Sequence, residues 1–351
     1  MAGDRGSGAL QRLRDRVIDA GQCTNCGACA GTCPYLRPLG NRIVSLHACT
    51  LETGHCTVAC PQLAAGPERD DAIPVSPLDR VLTAHCAKAV DPEDRTGAQN
   101  GGVVTALLAF GLMSGRLDGV LAVGGSPSAP TYGIARSPAE IRAMAGSKFS
   151  VFPTLAETHR IPDLSRLAIV VLPCQAEALR GLTTRRSTKP LVIGLKCNGA
   201  LDSRVLQQRL RSHRAAAAPI RLDRGSSPGS FEIRRADGDM TPMDRFDGTA
   251  MTMPACAGCS DLLAEASDLM VGHDDADASG NVVLTWTRPG QAFWDAAVTA
   301  GRVKPRPLTE LGLARLRREA HAKRQRAARH STGPRHLDAD NGSALWADVP
   351  G

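Results

Sequence analysis

The feature that most limits how this chain can fold is a cysteine run, Cys23-x2-Cys26-x2-Cys29-x3-Cys33-Pro34. Four thiols in such a short stretch leave no room for a helix or strand with its own core. The spacing is that of a loop wrapped around a [4Fe-4S] cubane, in which three thiolates bind one cluster and the fourth binds a neighbouring one. A zinc ribbon is the competing arrangement, but it lacks the third close cysteine and the Cys-Pro ending.

A second half follows in altered form. Cys56-x3-Cys60-Pro61 repeats the end of the run, with only Cys49 ahead of it; the standard pattern would also need cysteine at Thr50 and Thr53. Crossed ligation assigns Cys23, Cys26, Cys29 and Cys60 to one cube, and Cys33, Cys49 and Cys56 to another. The second set has three thiolates. A [3Fe-4S] centre, a non-cysteine fourth ligand (His47 and His55 are nearby) or a reorganised loop all remain open. Residues 1–65 therefore read as a ferredoxin-like module.

Five of the twelve cysteines lie outside this module. Twelve thiols in a short secreted chain would mean a disulfide framework. Here the chain runs to 351 residues, and its first residues are polar with no apolar signal segment. Without 18 consecutive apolar residues, no membrane span is expected. The reading is a cytoplasmic, thiolate-binding protein. Cys174 follows the apolar run Leu167–Leu172, and Cys197 ends the run Leu191–Leu195. Both runs suit strands buried on two faces, whose carboxyl ends carry ligand sites in α/β sheets. Cys256-x2-Cys259 completes a quartet sufficient for a third cluster. Cys86 stands apart and reads as structural.

The rest of the pattern gives an α/β or α+β chain: a small ferredoxin-like module followed by a mixed α/β domain. Residues 66–96, rich in Pro, Asp and Ala, read as a linker. Residues 97–182 and 183–312 form two α/β parts. Helices are predicted over 8–19, 103–113, 174–182, 203–213, 291–300 and 308–328. Ser137-Pro138-Ala139-Glu140 has the N-cap, N1 proline and N3 acid of a helix start. A hairpin with an Asp237-Gly238 turn is expected within 219–247, and two more strands within 268–287. The acid run Asp274–Asp277 reads as a solvated loop.

Charge adds a further constraint. The formal charge of +7 is matched by residues 314–336 alone, where eight Lys or Arg face one acid, Glu319. The body of the chain is neutral, and it has only 11 aromatic residues. Both facts argue against a nucleic-acid partner. Residues 313–351 read as a basic helix and disordered tail, an arm suited to docking an acidic partner and dispensable for the fold.

Several phrases occur in a specific order: Thr96-Gly-Ala-Gln-Asn-Gly-Gly-Val-Val-Thr-Ala-Leu-Leu108, Gly146-Ser-Lys148, Leu172-Pro-Cys-Gln175, Gly194-Leu-Lys-Cys197, and Cys256-x2-Cys-Ser-Asp261 through to Gly272. Over roughly residues 15–312 the chain resembles the beta subunit family of coenzyme F420 hydrogenases and dehydrogenases. The resemblance implies an oxidoreductase with two to three [4Fe-4S] clusters and FAD. It implies electron exchange with a deazaflavin or ferredoxin, and a redox partner subunit. A stand-alone ferredoxin-dependent reductase is the alternative, and a non-enzymatic redox sensor a weaker one. By the same resemblance Gln99, Asn100, Gly101, Gly102, Thr105, Gly146, Ser147 and Lys148 contact the flavin. Gly101 and Gly102 would let the backbone approach, and Lys148 would hold a cofactor phosphate or stabilise the reduced ring.

Overall fold

The computed structural model describes residues 8–64, 76–161, 163, 165–183, 188–213, 220–224, 231–235, 237–243, 252–274 and 279–332. In the N-terminal region β1 (Leu36–Leu39) and β2 (Arg42–Ser45) form a hairpin. Next come β3 (Thr83–Ala89), β4 (Gly119–Ser126), β5 (Ala129–Ala135), β6 (Leu167–Val171) and β7 (Leu191–Leu195). A small antiparallel sheet follows, of β8 (Ile220–Arg224), β9 (Phe231–Arg235) and β10 (Met240–Met243). The last strands are β11 (Leu269–His273), β12 (Asn281–Thr285) and β13 (Val303–Pro307).

Eight of these make one mixed sheet, in the order β13-β3-β12-β11-β7-β6-β4-β5. Its centre, β4-β6-β7-β11, is parallel, and antiparallel strands extend both edges. The apolar runs over 167–172 and 191–195 occupy the middle. There both faces are covered, so continuous hydrophobicity is what the position demands.

Helices are α1 (Ala9–Leu13, continued by a π turn Arg14–Ile18), α2 (His55–Ala59), α3 (Pro61–Ala64), α4 (Pro92–Arg95), α5 (Val103–Met113) and α6 (Pro138–Ala143). They continue with α7 (Pro173–Thr183), α8 (Ser203–Ser212), α9 (Arg288–Thr299) and α10 (Glu310–Thr332). Ser137 and Glu140 form the expected capping box on α6. The period-two alternation of the strands sorts side chains between two cores. Val120, Ala122, Leu269 and Val271 pack with Leu107, Phe110, Phe293 and Trp294 of α5 and α9. On the other face Leu121 and Ile169 pack with Ala176 and Leu179 of α7, and Met270 and Leu284 pack with Leu316 and Ala320 of α10.

Three sequence expectations are corrected. The stretch 66–96 is not a linker throughout: residues 65–75 lie outside the described residues, but β3 sits between β12 and β13 inside the sheet. Its inward residues are small (Ala84, Cys86, Ala87, Ala89), so its composition hides its burial. The boundary at 182/183 falls within one unit, because β6 and β7 are parallel neighbours. The basic segment is no detached arm. Leu316, Ala320, Lys323 and Ala327 are buried at successive turns of α10. The tail from 333 and most of the Asp274–Asp277 run lie outside the described residues; Asp274 itself is buried and accepts a hydrogen bond from Cys86 at 2.8 Å. No described helix is long and apolar enough to cross a membrane.

Candidate functional site

The thiols fall into three neighbourhoods. In the first, burial pushes the Cys29 thiol well up, and the nearby thiols of Cys26, Cys23 and Cys60 add to it. Burial, then Cys26, pushes Cys60 up to about 12. The loop carrying Cys23, Cys26 and Cys29 turns through left-handed conformations at Asn25 (φ 55°) and Gly27 (φ 87°). It is pressed onto the large domain: a Cβ at Gly27 would lie 2.5 Å from Pro153 O, and Leu155 N donates to Cys26 O at 3.2 Å.

In the second neighbourhood Cys56, raised first by its burial, is raised further by Cys33 and Cys49. This set lies nearer the surface, with Cys49 exposed and Cys33 half-buried. His47 packs edge-to-face on Tyr35 at 5.2 Å, and His55 opens α2.

The third neighbourhood joins three distant segments. Cys174 stands in the first turn of α7, just past β6, and Cys197 just past β7. A short 3-10 turn over Pro254–Cys256 brings in the Cys256-x2-Cys259 loop. Burial pushes the Cys174 thiol well up, followed by Cys259, Cys26, Cys256 and Cys197. The four thiols thus share one locality, and Cys26 couples it to the first set. Burial, then Cys197 and Cys259, pushes Cys256 up to about 12. Among the described residues, no three His, Cys, Asp or Glu groups lie close enough to hold a single metal ion. A cubane needs a wider ring of sulfurs than one ion does, and an all-thiolate donor set suits it.

Beside the third set opens a cavity of about 270 Å³. Gln99, Asn100, Gly102, Thr105, Gly146, Ser147 and Lys148 all line it, with Cys197, Asn198, His273 and Asn281. Gly102 (φ 74°) forms the left-handed entry to α5, where a Cβ would lie 2.5 Å from Asp94 O. Gly146 (φ 91°) packs against the backbone of Gly97. Arg142 ties the frame together, pairing with buried Asp94 at 2.8 Å, with Asp91 at 3.1 Å and with Glu93 at 2.6 Å. Gln99 Oε1 and Ser150 Oγ are buried at the wall with no partner among the described residues, as expected where a polar ligand completes the set.

One expected cavity contact is absent, and another residue has a second, structural part. Gly101 is not on the cavity wall: a Cβ there would meet Ala87 O and Asn281 Oδ1 at 3.0 Å, so its small size serves packing under β3 and β12. Lys148 does reach the wall, but its ammonium donates to Met144 O, Ala145 O and Gly146 O at 2.7–2.9 Å, holding the end of α6. Sequence reasoning missed Asn281, whose Nδ2 donates to Gly272 O and whose Oδ1 accepts from Val103 N. No motif flags it, since its role depends on a strand pairing. It also missed Lys323.

A parallel sheet with thiols at its carboxyl edge, a polar-lined cavity beside them and a thiol loop docked on its face define an α/β oxidoreductase. The chain belongs to the coenzyme F420 hydrogenase/dehydrogenase beta subunit family: the family's N-terminal description matches residues 84–157 and its C-terminal description residues 164–310. It is 26% identical to the coenzyme F420 hydrogenase subunit beta of Methanococcus voltae, over 67% of this chain and 88% of that one. It is 23% identical to the coenzyme F420-dependent sulfite reductase of Methanocaldococcus jannaschii, over 89% of this chain but 52% of that one. In fold it is similar to a chain of the F420-reducing [NiFe] hydrogenase complex of Methanosarcina barkeri, with a TM-score of 0.64, 22% identity, and coverage of 71% of this chain and 90% of that one.

Proposed function

We propose that this chain carries electrons between a one-electron partner and a flavin-linked, two-electron exchange with a deazaflavin of the coenzyme F420 type. The observation that supports this best is an order of thiol sets. The Cys33/Cys49/Cys56 set is nearest the surface. The Cys23/Cys26/Cys29/Cys60 set is inward of it and couples through Cys26 to Cys174. The third set meets the cavity at Cys197. Two of the sets have four thiolates for a cluster and the surface set has three, which gives two to three clusters in an order from surface to cavity.

The residues of the cavity suit FAD. Gly102 and the N-terminus of α5 present the positive end of a helix, with Val103 N already held by Asn281 Oδ1, and that end favours an anionic pyrophosphate. Gln99, Ser150 and Asn198 offer polar partners for a ring edge. The buried Lys148 ammonium places a fixed positive charge at the wall, which stabilises negative charge developing on a bound ring. A bound flavin supplies the conversion between two-electron and one-electron transfer. The protein orients the ring, excludes water and sets the local charge. Relatives that are subunits of hydrogenase complexes support a partner subunit that delivers or removes single electrons at the exposed end, and ferredoxin is the other one-electron carrier of this reading.

Anaerobic purification with iron, sulfide and flavin analysis tests this reading, followed by reduction of the purified protein with reduced deazaflavin. The expected result is bound FAD, at least eight iron atoms by the count of [4Fe-4S] sets, given as roughly two clusters or more, and bleaching of both chromophores. Full cluster content without flavin, and no response to deazaflavin, would overturn it in favour of a redox sensor. Flavin reduced by ferredoxin alone would favour the stand-alone reductase.

A further inference from the structure

The C-terminal helix lies beyond residue 310, where the family match ends, and it grips both loops of the third thiol set. Lys323 Nζ donates to Cys197 O and to Asp261 O, each at 2.7 Å. Arg326 donates to Asn198 O at 3.2 Å and to Asn198 Oδ1 at 3.0 Å. Arg324 pairs with Glu265 at 2.8 Å, and Glu319 pairs with Lys196 at 2.6 Å, where both side chains are almost fully buried. At the far end His330 comes within 3.6 Å of a Cβ placed at Gly258, inside the Cys-x2-Cys loop.

Among these groups Lys323 is exceptional. It is 1% exposed, and its ammonium donates to two neutral carbonyls. Burying a lysine charge costs several kcal/mol unless negative charge stands close by. The negative charge available to it is that of the thiol set whose Cys197 carbonyl it holds, and that of Asp261, whose carbonyl it also holds.

We propose that Lys323 is a positioning residue for electron transfer: its fixed positive charge, set against the Cys174/Cys197/Cys256/Cys259 thiolates, raises the reduction potential of the cluster they hold. The inference rests on the reading that these four cysteines bind a cluster. Reduction adds one electron from the donor to the cluster and takes up no proton, so the set becomes one unit more negative. A fixed cation beside it stabilises the reduced form more than the oxidised form. The other two sets have no such buried lysine among the described residues, so the cluster next to the cavity would be the one poised to hold an electron for the flavin.

The test is an EPR-monitored titration of the full-length protein with dithionite. Cys256→Ser first identifies the signal of the third cluster by its loss; if iron content and every signal are unchanged in that variant, the underlying ligand assignment fails, and this is a separate outcome. In Lys323→Gln and Lys323→Met that signal is expected to remain. Its reduced-to-oxidised ratio at a fixed potential should fall at least tenfold, about 59 mV for one electron, while the N-terminal signals stay in place. An unchanged ratio in Lys323→Gln with the cluster retained would overturn the proposal. If both neutral variants fail to load the cluster, Lys323→Arg decides: loading at the native potential supports a requirement for charge, and failure to load with Arg as well assigns Lys323 to packing and overturns it.

Discussion

The first and third thiol sets are built in opposite ways. Three of the first set's four thiols, Cys23, Cys26 and Cys29, come from one loop seven residues long with its own turns at Asn25 and Gly27, and only Cys60 is added from the end of α2. Cys174, Cys197 and the Cys256 pair come from two strand ends and a remote loop, brought together by the sheet and clamped by α10. A local loop brings most of its thiols together within one short stretch of chain. An assembled site exists only when the whole domain does, so its occupancy and the stability of the domain are one linked quantity.

The most severe way to break this contrast is to end the chain at Gly312. That removes Leu316 and Ala320 from their contacts with Leu262, Leu263 and Met270. It also leaves Lys196 buried without its carboxylate partner. Lost buried aliphatic side chains cost about 2–5 kcal/mol each, and a broken buried ion pair about 3–5 kcal/mol. The expected result is a protein that no longer folds cooperatively in the large domain, measured by thermal denaturation and iron content. A truncated chain with native melting would return α10 to the status of a dispensable arm.

A smaller effect separates the two kinds of site directly. Cys256→Ser should remove one cluster and also lower the denaturation midpoint of the large domain. Cys56→Ser should change the surface cluster and leave that midpoint in place. Equal midpoints for both variants would mean that the assembled set contributes nothing to holding the domain together.

Gly27→Ala acts between the two sites. The added methyl would sit in left-handed backbone and against Pro153 O, at a strain of about 1–3 kcal/mol. One-electron exchange with an external carrier should slow as the first set shifts from Cys174, while flavin content persists. Unchanged electron exchange would show that the contact at Pro153 does not position the relay.

The weakest probe concerns the sheet itself. His85 stacks on Trp294 with ring centroids 5.4 Å apart, and burial lowers its pKa against a smaller opposing effect of Asp295. A histidine held neutral in the fold contributes stability above its unfolded pKa, and loses it as the pH falls through the folded value. The denaturation midpoint should therefore drop slightly between pH 7 and pH 5. That drop should shrink in His85→Gln, and an identical pH profile in the variant would remove His85 from the account.

Much of this was legible in the sequence because it is local. The Cys-x2-Cys run, the capping box at Ser137 and the twin strands before Cys174 and Cys197 each announce themselves within a dozen residues. What was not legible depends on pairing across the chain. β3 carries small side chains in a Pro- and Asp-rich context, and only its place between β12 and β13 makes it core. Gly101 looked like a cavity-facing glycine because its neighbour Gly102 lines the cavity; the chain turns between them. Lys323 was hidden in a run of like charge. Its spacing from Leu316, Ala320 and Ala327 puts it on the apolar stripe of α10, so a lysine at a core position was the available signal.

The placement of β3 has a consequence for the order of synthesis. Its partners, β12 and β13, end at Thr285 and Pro307, so a strand made early waits for most of the chain before its edges are satisfied. The thiols of the N-terminal loops and Cys60 are all translated before it. Because chains emerge from the amino end, all thiols of the first set are made while the sheet is still open, and the contacts of α10 on the third set form only after α10 has been made. Loading of the proposed clusters is therefore expected to run in one direction along the chain, from the set that is made first to the site that needs every other part.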